Sequence, residues 1–392
     1  MSTLKVNKLR DTAGSADAIT LDPNGGAVLA GVTTVTSVKV GAAVTISESG
    51  IEASGIGITC ANINGGAIGG RRNIIINGAM NVAQRGTSST ETSGYGSLDR
   101  FKASNSGNDE APTHSQVDVA SGTTPYTLGF RKAFRMTNGN QTGGAGSADR
   151  VCFNYSVEAQ DLANSGWNYT SATSYITFQF WVKSSVAQNF YVLLRSKDGT
   201  ERGYVFETGS LTADTWTKII KTVPGSSLLQ IDNNNGSGLQ IEWQMFRGTD
   251  KTGSVTLNQW ATFDGSARVP DMTSTWYTTN DATFEITGVQ LEVGSQATAF
   301  EHLSYGEDLR LCQRYYQGAT SVGAGYGSAD GYARGGSVYA VVMRASPTLS
   351  TTNTGSGSII ASGTSGSGFY VTYGSLGGSS AGIFTFAADA EL

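Results

Sequence analysis

The distribution of aromatic residues is the strongest constraint on this chain. Residues 1–72 contain no Trp, Phe or Tyr, whereas all six Trp (Trp167, Trp181, Trp216, Trp243, Trp260 and Trp276) fall in one later stretch. Large aromatic side chains dominate the burial that builds a core, so a core can form around that stretch and hardly at all in the leading segment. There the apolar residues are mostly Ala, Val and Ile, and Val38-x-Val40, Val44-x-Ile46 and Ile56-x-Ile58-x-Cys60 alternate with the period of strands. Asn24-Gly-Gly26 and Asn64-Gly-Gly66 mark turns between them. Strands this thin become stable when several chains pool their Ile/Val rows, as in a fibrous shaft. The other reading is a Gly/Ser/Thr linker that stays unfolded.

Residues 73–303 read as a globular body. Ile176, Phe178, Phe180 and Val182 alternate with Tyr175, Gln179, Trp181 and Lys183, and Leu239, Ile241, Trp243 and Met245 alternate with Gln240, Glu242 and Gln244. Residues 190–195, 204–207, 216–221, 254–257 and 284–292 add further strands. Many short strands with no long helical stretch between them predict an antiparallel sandwich, an all-β fold without βαβ units.

One helix is expected after the body, in the segment 304–317. Ser304-Tyr-Gly-Glu307 has capping-box spacing, and Leu309, Cys312 and Tyr316 then share a face. Residues 318–392 hold only five charged residues, Asp330, Arg334, Arg344, Asp389 and Glu391, amid abundant Gly. Val338–Met343 and Gly368–Tyr373 still alternate as strands, so a small Gly-rich β domain is expected there.

Composition excludes several classes. With 26 Lys+Arg against 31 Asp+Glu, the net charge of −5 lacks the basic footprint of a nucleic-acid binder. Three scattered cysteines, Cys60, Cys152 and Cys312, do not form a disulfide scaffold. No run of ~18 apolar residues marks a membrane helix. The opening Met1–Arg10 carries charges with no apolar stretch after it, unlike a secretory signal.

Several stretches carry a resemblance. Arg71-Arg-Asn-Ile-Ile-Ile-Asn-Gly-Ala-Met-Asn-Val-Ala-Gln-Arg-Gly-Thr87, Leu98-Asp-Arg-Phe101, Val289–Glu301 and Glu307–Tyr316 resemble tail-fibre and tail-spike proteins of tailed bacteriophages. The opening Ser2–Leu9 is similar to the start of fibres from phages of marine bacteria. The resemblance implies a homotrimeric virion appendage, assembled in the host bacterial cytoplasm. It would carry a virion-attachment segment over 1–30 with Leu4, Val6 and Leu9 meeting phage tail (adaptor or nozzle) proteins. A thin β shaft over 31–72, a jelly-roll-like body and a distal domain over 318–392 would follow. Its partner would be a host cell-surface glycan or outer-membrane receptor. An architectural fibre or collar connector and a glycan-depolymerising spike are the alternatives.

Recognition of sugars uses aromatic faces with amides and carboxylates around them. By alternation Trp181 and Tyr191 point away from the apolar rows, as do Gln240 and Glu242. If their strands share a sheet, these four form one amphipathic face; otherwise that face meets another copy or lies under a loop. Tyr326 and Tyr332, with Tyr339, Tyr370 and Tyr373, resemble an adaptable Tyr/Ser/Gly contact surface, although some must be core.

Catalytic signals are weak. Acyl-transfer chemistry needs a positioned His, and of the two present His302 reads as structural and His114 as a solvated loop residue. A spike hydrolase would use two carboxylates; Asp198, Glu201, Asp214, Glu242, Asp264 and Asp271 are available, but sequence cannot pair them. No cofactor motif or metal-ligand spacing occurs, and Asp232-Asn-Asn-Asn-Gly236 places its Gly too early for a calcium loop. No enzymatic activity is expected.

Overall fold

In a computed structural model of the 392-residue chain, the described residues are 71–327, 332–354, 358–374 and 382–392, together with the backbone of six short strands near the start. The chain divides into two compact units, Met1–Ala61 and Asn62–Leu392. The first contains two antiparallel three-stranded sheets. One joins β1 (Lys8–Leu9), β2 (Ile19–Leu21) and β3 (Ala27–Leu29), and the other β4 (Ser37–Val40), β5 (Val44–Ser47) and β6 (Gly50–Ala53). The expected strands around Val38 and Val44 are β4 and β5; Leu4, Val6, the side chain of Leu9 and residues 56–60 lie outside the described residues.

The body is an antiparallel sandwich of two sheets. Its strands are β7 (Ser88–Ser89), β8 (Ser93–Gly94), β9 (Phe101–Ser106), β10 (Thr113–Asp118), β11 (Lys132–Thr137), β12 (Arg150–Glu158), β13 (Tyr175–Ser184), β14 (Asn189–Ser196), β15 (Arg202–Ser210), β16 (Thr217–Pro224), β17 (Ser237–Arg247), β18 (Trp260–Thr262) and β19 (Thr283–Val293). The six-stranded sheet runs β16-β13-β19-β11-β10-β7, and the seven-stranded sheet β18-β15-β14-β17-β12-β9-β8. The alternating rows meet between them. Ile176, Phe178, Phe180 and Val182 of one sheet pack with Phe153, Tyr155, Val192, Leu239, Ile241 and Trp243 of the other. Residues 254–257 are not the expected strand; they belong to an excursion between β17 and β19 whose Val255 and Leu257 pack on the outside of the seven-stranded sheet.

The four resemblance stretches within the body, 71–87, 98–101, 289–301 and 307–316, converge in space as one latch. Asn73 Oδ1 accepts from the amides of Ile75 and Leu291, both at 3.0 Å, while its Nδ2 donates to Val289 O at 3.1 Å. Glu301 accepts from the Arg72 and Asn73 amides at 2.9 and 2.7 Å. Asn77, in the left-handed region at φ 60°, donates through Nδ2 to Val82 O and Asp99 O, and its own amide donates to Asp308 on the following helix. These motifs therefore tie the entry of the body to its exit.

Asp99 is fully buried in this latch and accepts from the Gln84 amide at 2.9 Å. Burial raises its carboxyl to about 6 from 3.8, against the Gln84 hydrogen bonds that lower it. A raised acid contributes stability that is complete below the unfolded value and lost as pH rises through the folded one, here between pH 4 and 6. At 1.36 kcal/mol per unit the swing is roughly 3 kcal/mol. The difference in unfolding free energy between wild type and Asp99→Asn should therefore move by about that much in favour of Asn from pH 4 to pH 7. A pH-independent difference would contradict this.

A helix follows the body. The body also contains the short turns α1 (Thr124–Thr127), α2 (Ala159–Ala163) and α3 (Thr275–Thr278); α4 itself spans Tyr305–Cys312 with the expected capping box, Ser304 accepting from the Glu307 amide and Glu307 reaching back to Ser304. Leu309 and Cys312 pack with Ile76 and Val82, and Tyr315 takes the buried place expected for Tyr316, which instead opens the next strand.

The C-terminal region is a six-stranded antiparallel sheet, β22-β25-β20-β21-β24-β23, from β20 (Tyr316–Gly327), β21 (Tyr332–Val338), β22 (Thr348–Asn353), β23 (Ser358–Thr364), β24 (Gly368–Gly374) and β25 (Gly382–Asp389). The strand expected over 338–343 ends at Val338, and Tyr339 and Met343 turn inward onto Phe369, Val371, Tyr373 and Phe384. The last residues return to the body. Glu391 pairs with Arg100 and Arg85, Asp389 meets Arg85 at 2.9 Å, and the Tyr95 hydroxyl donates to Leu392 O at 2.6 Å. The rings of Tyr315 and Tyr316 lie 3.4 and 3.6 Å from the Arg100 and Arg85 guanidinium carbons, which cover the cations where water is excluded.

Candidate functional site

The structure splits the four residues expected on one face. Tyr191, Gln240 and Glu242 share the outer face of the seven-stranded sheet, because β14 pairs with β17 in the register Tyr191↔Gln244, Leu193↔Glu242 and Arg195↔Gln240. Trp181 does not join them. Its strand β13 pairs with β16 and β19 in the other sheet, and the indole packs with Phe130, Trp216 and Phe300 on that sheet's outer side. Alternation gave each side chain its side of a strand, and long-range pairing decided which sheet the strand joined.

Two rows of side chains cross the outer face of the seven-stranded sheet. One runs Glu207, Tyr191, Gln244, Cys152 and Ser104, and the next Val205, Leu193, Glu242, Asn154 and Lys102. Over β15 and β14 the excursion after β17 forms a roof, with Val269 buried on Leu193 and Val205. Phe263 brings its ring to 3.8 Å from the Arg195 guanidinium carbon and 5.1 Å from that of Arg268. Over β17, β12 and β9 the face remains polar and partly open at Gln240, Asn154, Lys102 and Ser104.

Glu242 sits at the edge of the roof, 1% exposed. Arg268 pairs with it from the roof, Gln244 Nε2 donates to it at 2.9 Å, and Arg247 lies 3.9 Å away, itself donating through Nε to Gln244 Oε1 at 3.0 Å. Burial lowers the Arg247 guanidinium from its ordinary value. A buried carboxylate needs such partners. Beside this network Asn154 Oδ1 and Arg268 Nε are buried without a hydrogen-bond partner. The part-exposed Gln240, Asn154, Lys102 and Ser104 form a surface suited to hydroxyl-bearing ligands. Arg268, Asn154 and Lys102 are absent from the sequence expectations. Asn154 and Lys102 were within reach of alternation, facing away from Phe153, Tyr155 and Phe101; Arg268 lies in an irregular segment with no period to read.

The other expected residues are placed as follows. Tyr326 and Tyr332 belong to the paired strands β20 and β21, and their side chains lie outside the described residues. Tyr339 and Tyr373 are core, whereas Tyr370 is exposed. His114 is no solvated loop residue: it is fully buried on β10, its Nδ1 2.6 Å from Ser97 Oγ and its Nε2 3.2 Å from Glu91 O, and burial lowers its ordinary titration. Ser97 is equally buried, so the pair is structural. His302 packs against Phe130 and Phe300 with Nε2 2.9 Å from Leu128 O. Among the carboxylates, Glu201 pairs with Arg195 and Lys197, Asp271 accepts from Thr252, Asp264 from Ser266 and Asp198 from the Asp232 amide. Among the described residues no three His, Cys, Asp or Glu are grouped to hold a metal.

The chain matches no protein-family pattern and no curated protein. Solved structures with a loosely similar arrangement include the bacteriophage CBA120 tailspike protein 4 enzymatically active domain, at 11% identity and TM-score 0.30. That match covers 56% of this chain and 21% of the tailspike, so the chain spans about a fifth of that protein's length. They also include the N-terminal cellulose-binding domain of Cellulomonas fimi β-1,4-glucanase C, at 11% identity and TM-score 0.26 over 55% of this chain and 99% of that one. A family 30 carbohydrate-binding module matches at 9% identity and TM-score 0.25 over 58% and 91%. Likeness at this level carries no statement about ligand or activity.

Proposed function

We propose that the chain is a non-catalytic component of a phage tail fibre, working as a homotrimer in the virion, that adsorbs to a host-surface glycan through the outer face of its seven-stranded sheet. The sequence motifs at both borders of the body support the phage-fibre part. The observation that carries the binding part is the open polar strip beside Glu242, where Gln240, Asn154, Lys102 and Ser104 are part-exposed on one outer face. Polysaccharide hydroxyls can exchange hydrogen bonds with the part-exposed Gln240 and Asn154 amides and with the Lys102 ammonium, and a neutral hydrogen bond to such an amide is worth about 1 kcal/mol net.

The test is a calorimetric titration of the full chain with purified host-surface polysaccharide. Asn154→Ala and Lys102→Ala should each weaken binding about five- to tenfold without moving the unfolding midpoint, and the double variant at least as much as either alone, since these paired neighbours need not act independently. Unchanged affinity in the double variant would remove this face from the proposal.

A further inference from the structure

A second concavity lies away from that face, between the last turn of α4, the stretch leading into it and the segment after β21. Its volume is about 450 Å³, within the range of small-molecule sites. Leu303, Leu311 and Val342 supply apolar wall, and Val342 is 66% exposed. Arg71 and Arg310 supply cations. Arg310 makes no hydrogen bond or ion pair among the described residues, and Arg71 spends one donor, Nε to Asn73 O at 3.1 Å. The third arginine on the wall is committed, since Arg314 donates twice to Glu158 at 3.0 and 2.9 Å.

Two carboxylates also line the cleft, and each is turned into a local hydrogen bond. Glu301 accepts from the Arg72 and Asn73 amides, and Glu307 Oε2 from the Ser304 amide and hydroxyl at 3.1 and 2.7 Å. Each carboxylate keeps lone pairs for a further donor. The ligand complementary to this wall has one carboxylate for the free guanidiniums, hydroxyls that donate to the glutamates, and a C–H face for Leu303, Leu311 and Val342. We infer that the cleft is a subsite for an acidic sugar, a hexuronate-type residue of a surface polysaccharide. Guanidinium–carboxylate forks are planar and bidentate, which makes Arg310 the residue that selects acid over neutral sugar. A simple fatty carboxylate satisfies the arginines and the apolar wall but has no hydroxyl to offer the glutamates.

The ligand's source rests on the adsorption reading; the cleft itself rests on these side chains. The full chain is titrated with tri-galacturonate, maltotriose and octanoate, as wild type and as Arg310→Ala, Arg310→Lys, Arg71→Ala and Asn154→Ala. Tri-galacturonate should bind at least tenfold more tightly than maltotriose or octanoate. Arg310→Ala and Arg71→Ala should each weaken it about tenfold, with Arg310→Lys in between. Arg310 and Arg71 are exposed, so an unchanged unfolding midpoint is expected alongside. Failure of tri-galacturonate to bind, wild-type affinity in both arginine-to-alanine variants, or preference for octanoate would overturn the inference. If the arginine variants bind as wild type while Asn154→Ala loses host polysaccharide, the cleft inference fails and the adsorption reading stands. If tri-galacturonate binds as predicted while host polysaccharide does not bind at all, the cleft stands and the adsorption reading fails.

Discussion

Glu391→Ala is expected to lower the unfolding free energy by about 3–5 kcal/mol, the cost of breaking a buried ion pair from one side. Arg100 is 0% exposed and Glu391 3%, and Arg100 also donates to Ser156 O. Without Glu391 the guanidinium stays enclosed by Tyr315 and Tyr155 with no counter-charge. Asp389→Ala is the control. Its carboxylate meets Arg85 but is 43% exposed, and a pair open to solvent contributes about 0–1 kcal/mol. Chemical denaturation of both variants checks the contrast. A loss below about 1 kcal/mol for Glu391→Ala would mean that the final residues do not hold the C-terminal sheet to the body.

Trp243→Ala should cost about 3–5 kcal/mol, because the indole is fully buried at the centre of the sandwich. Its ring stacks on Phe153 at 4.9 Å and meets Phe178 and Phe180 of the opposite sheet at 5.8 and 5.9 Å. Both sheets therefore lose packing when it is removed. Its Nε1 has no hydrogen-bond partner, so Trp243→Phe removes an unsatisfied donor along with some volume. The Phe variant should retain at least half of what Ala loses. Equal losses would mean that the donor is satisfied or that the site cannot repack.

Period-two patterning was enough to find the core rows of β13 and β17 and the sandwich they form, since each strand shows its apolar side locally. It could not show that Trp181 and Glu242 lie on opposite outer surfaces, because sheet membership depends on pairings across a hundred residues. His114 was misread for a related reason: its polar neighbours hide that β10 is covered, and its partner Ser97 comes from another segment. The roof over Leu193 and Val205 carries no regular period, so Arg268 and its bond to Glu242 were illegible. The clasp of Arg85 and Arg100 with Glu391 joins residues about three hundred positions apart, and nothing local to either end announces it. Where the bond is short in sequence, as between Ser304 and Glu307, the residue spacing alone announces it.

The most direct test of the adsorption account is to incubate labelled full-length protein with host cells, with purified surface polysaccharide as competitor, and to assay the supernatant for new reducing ends. The account predicts saturable binding that the polysaccharide competes away, with no reducing ends above background. Absence of binding, or binding that polysaccharide cannot displace, would contradict glycan adsorption; a rise in reducing ends would show that the protein cuts the glycan it holds.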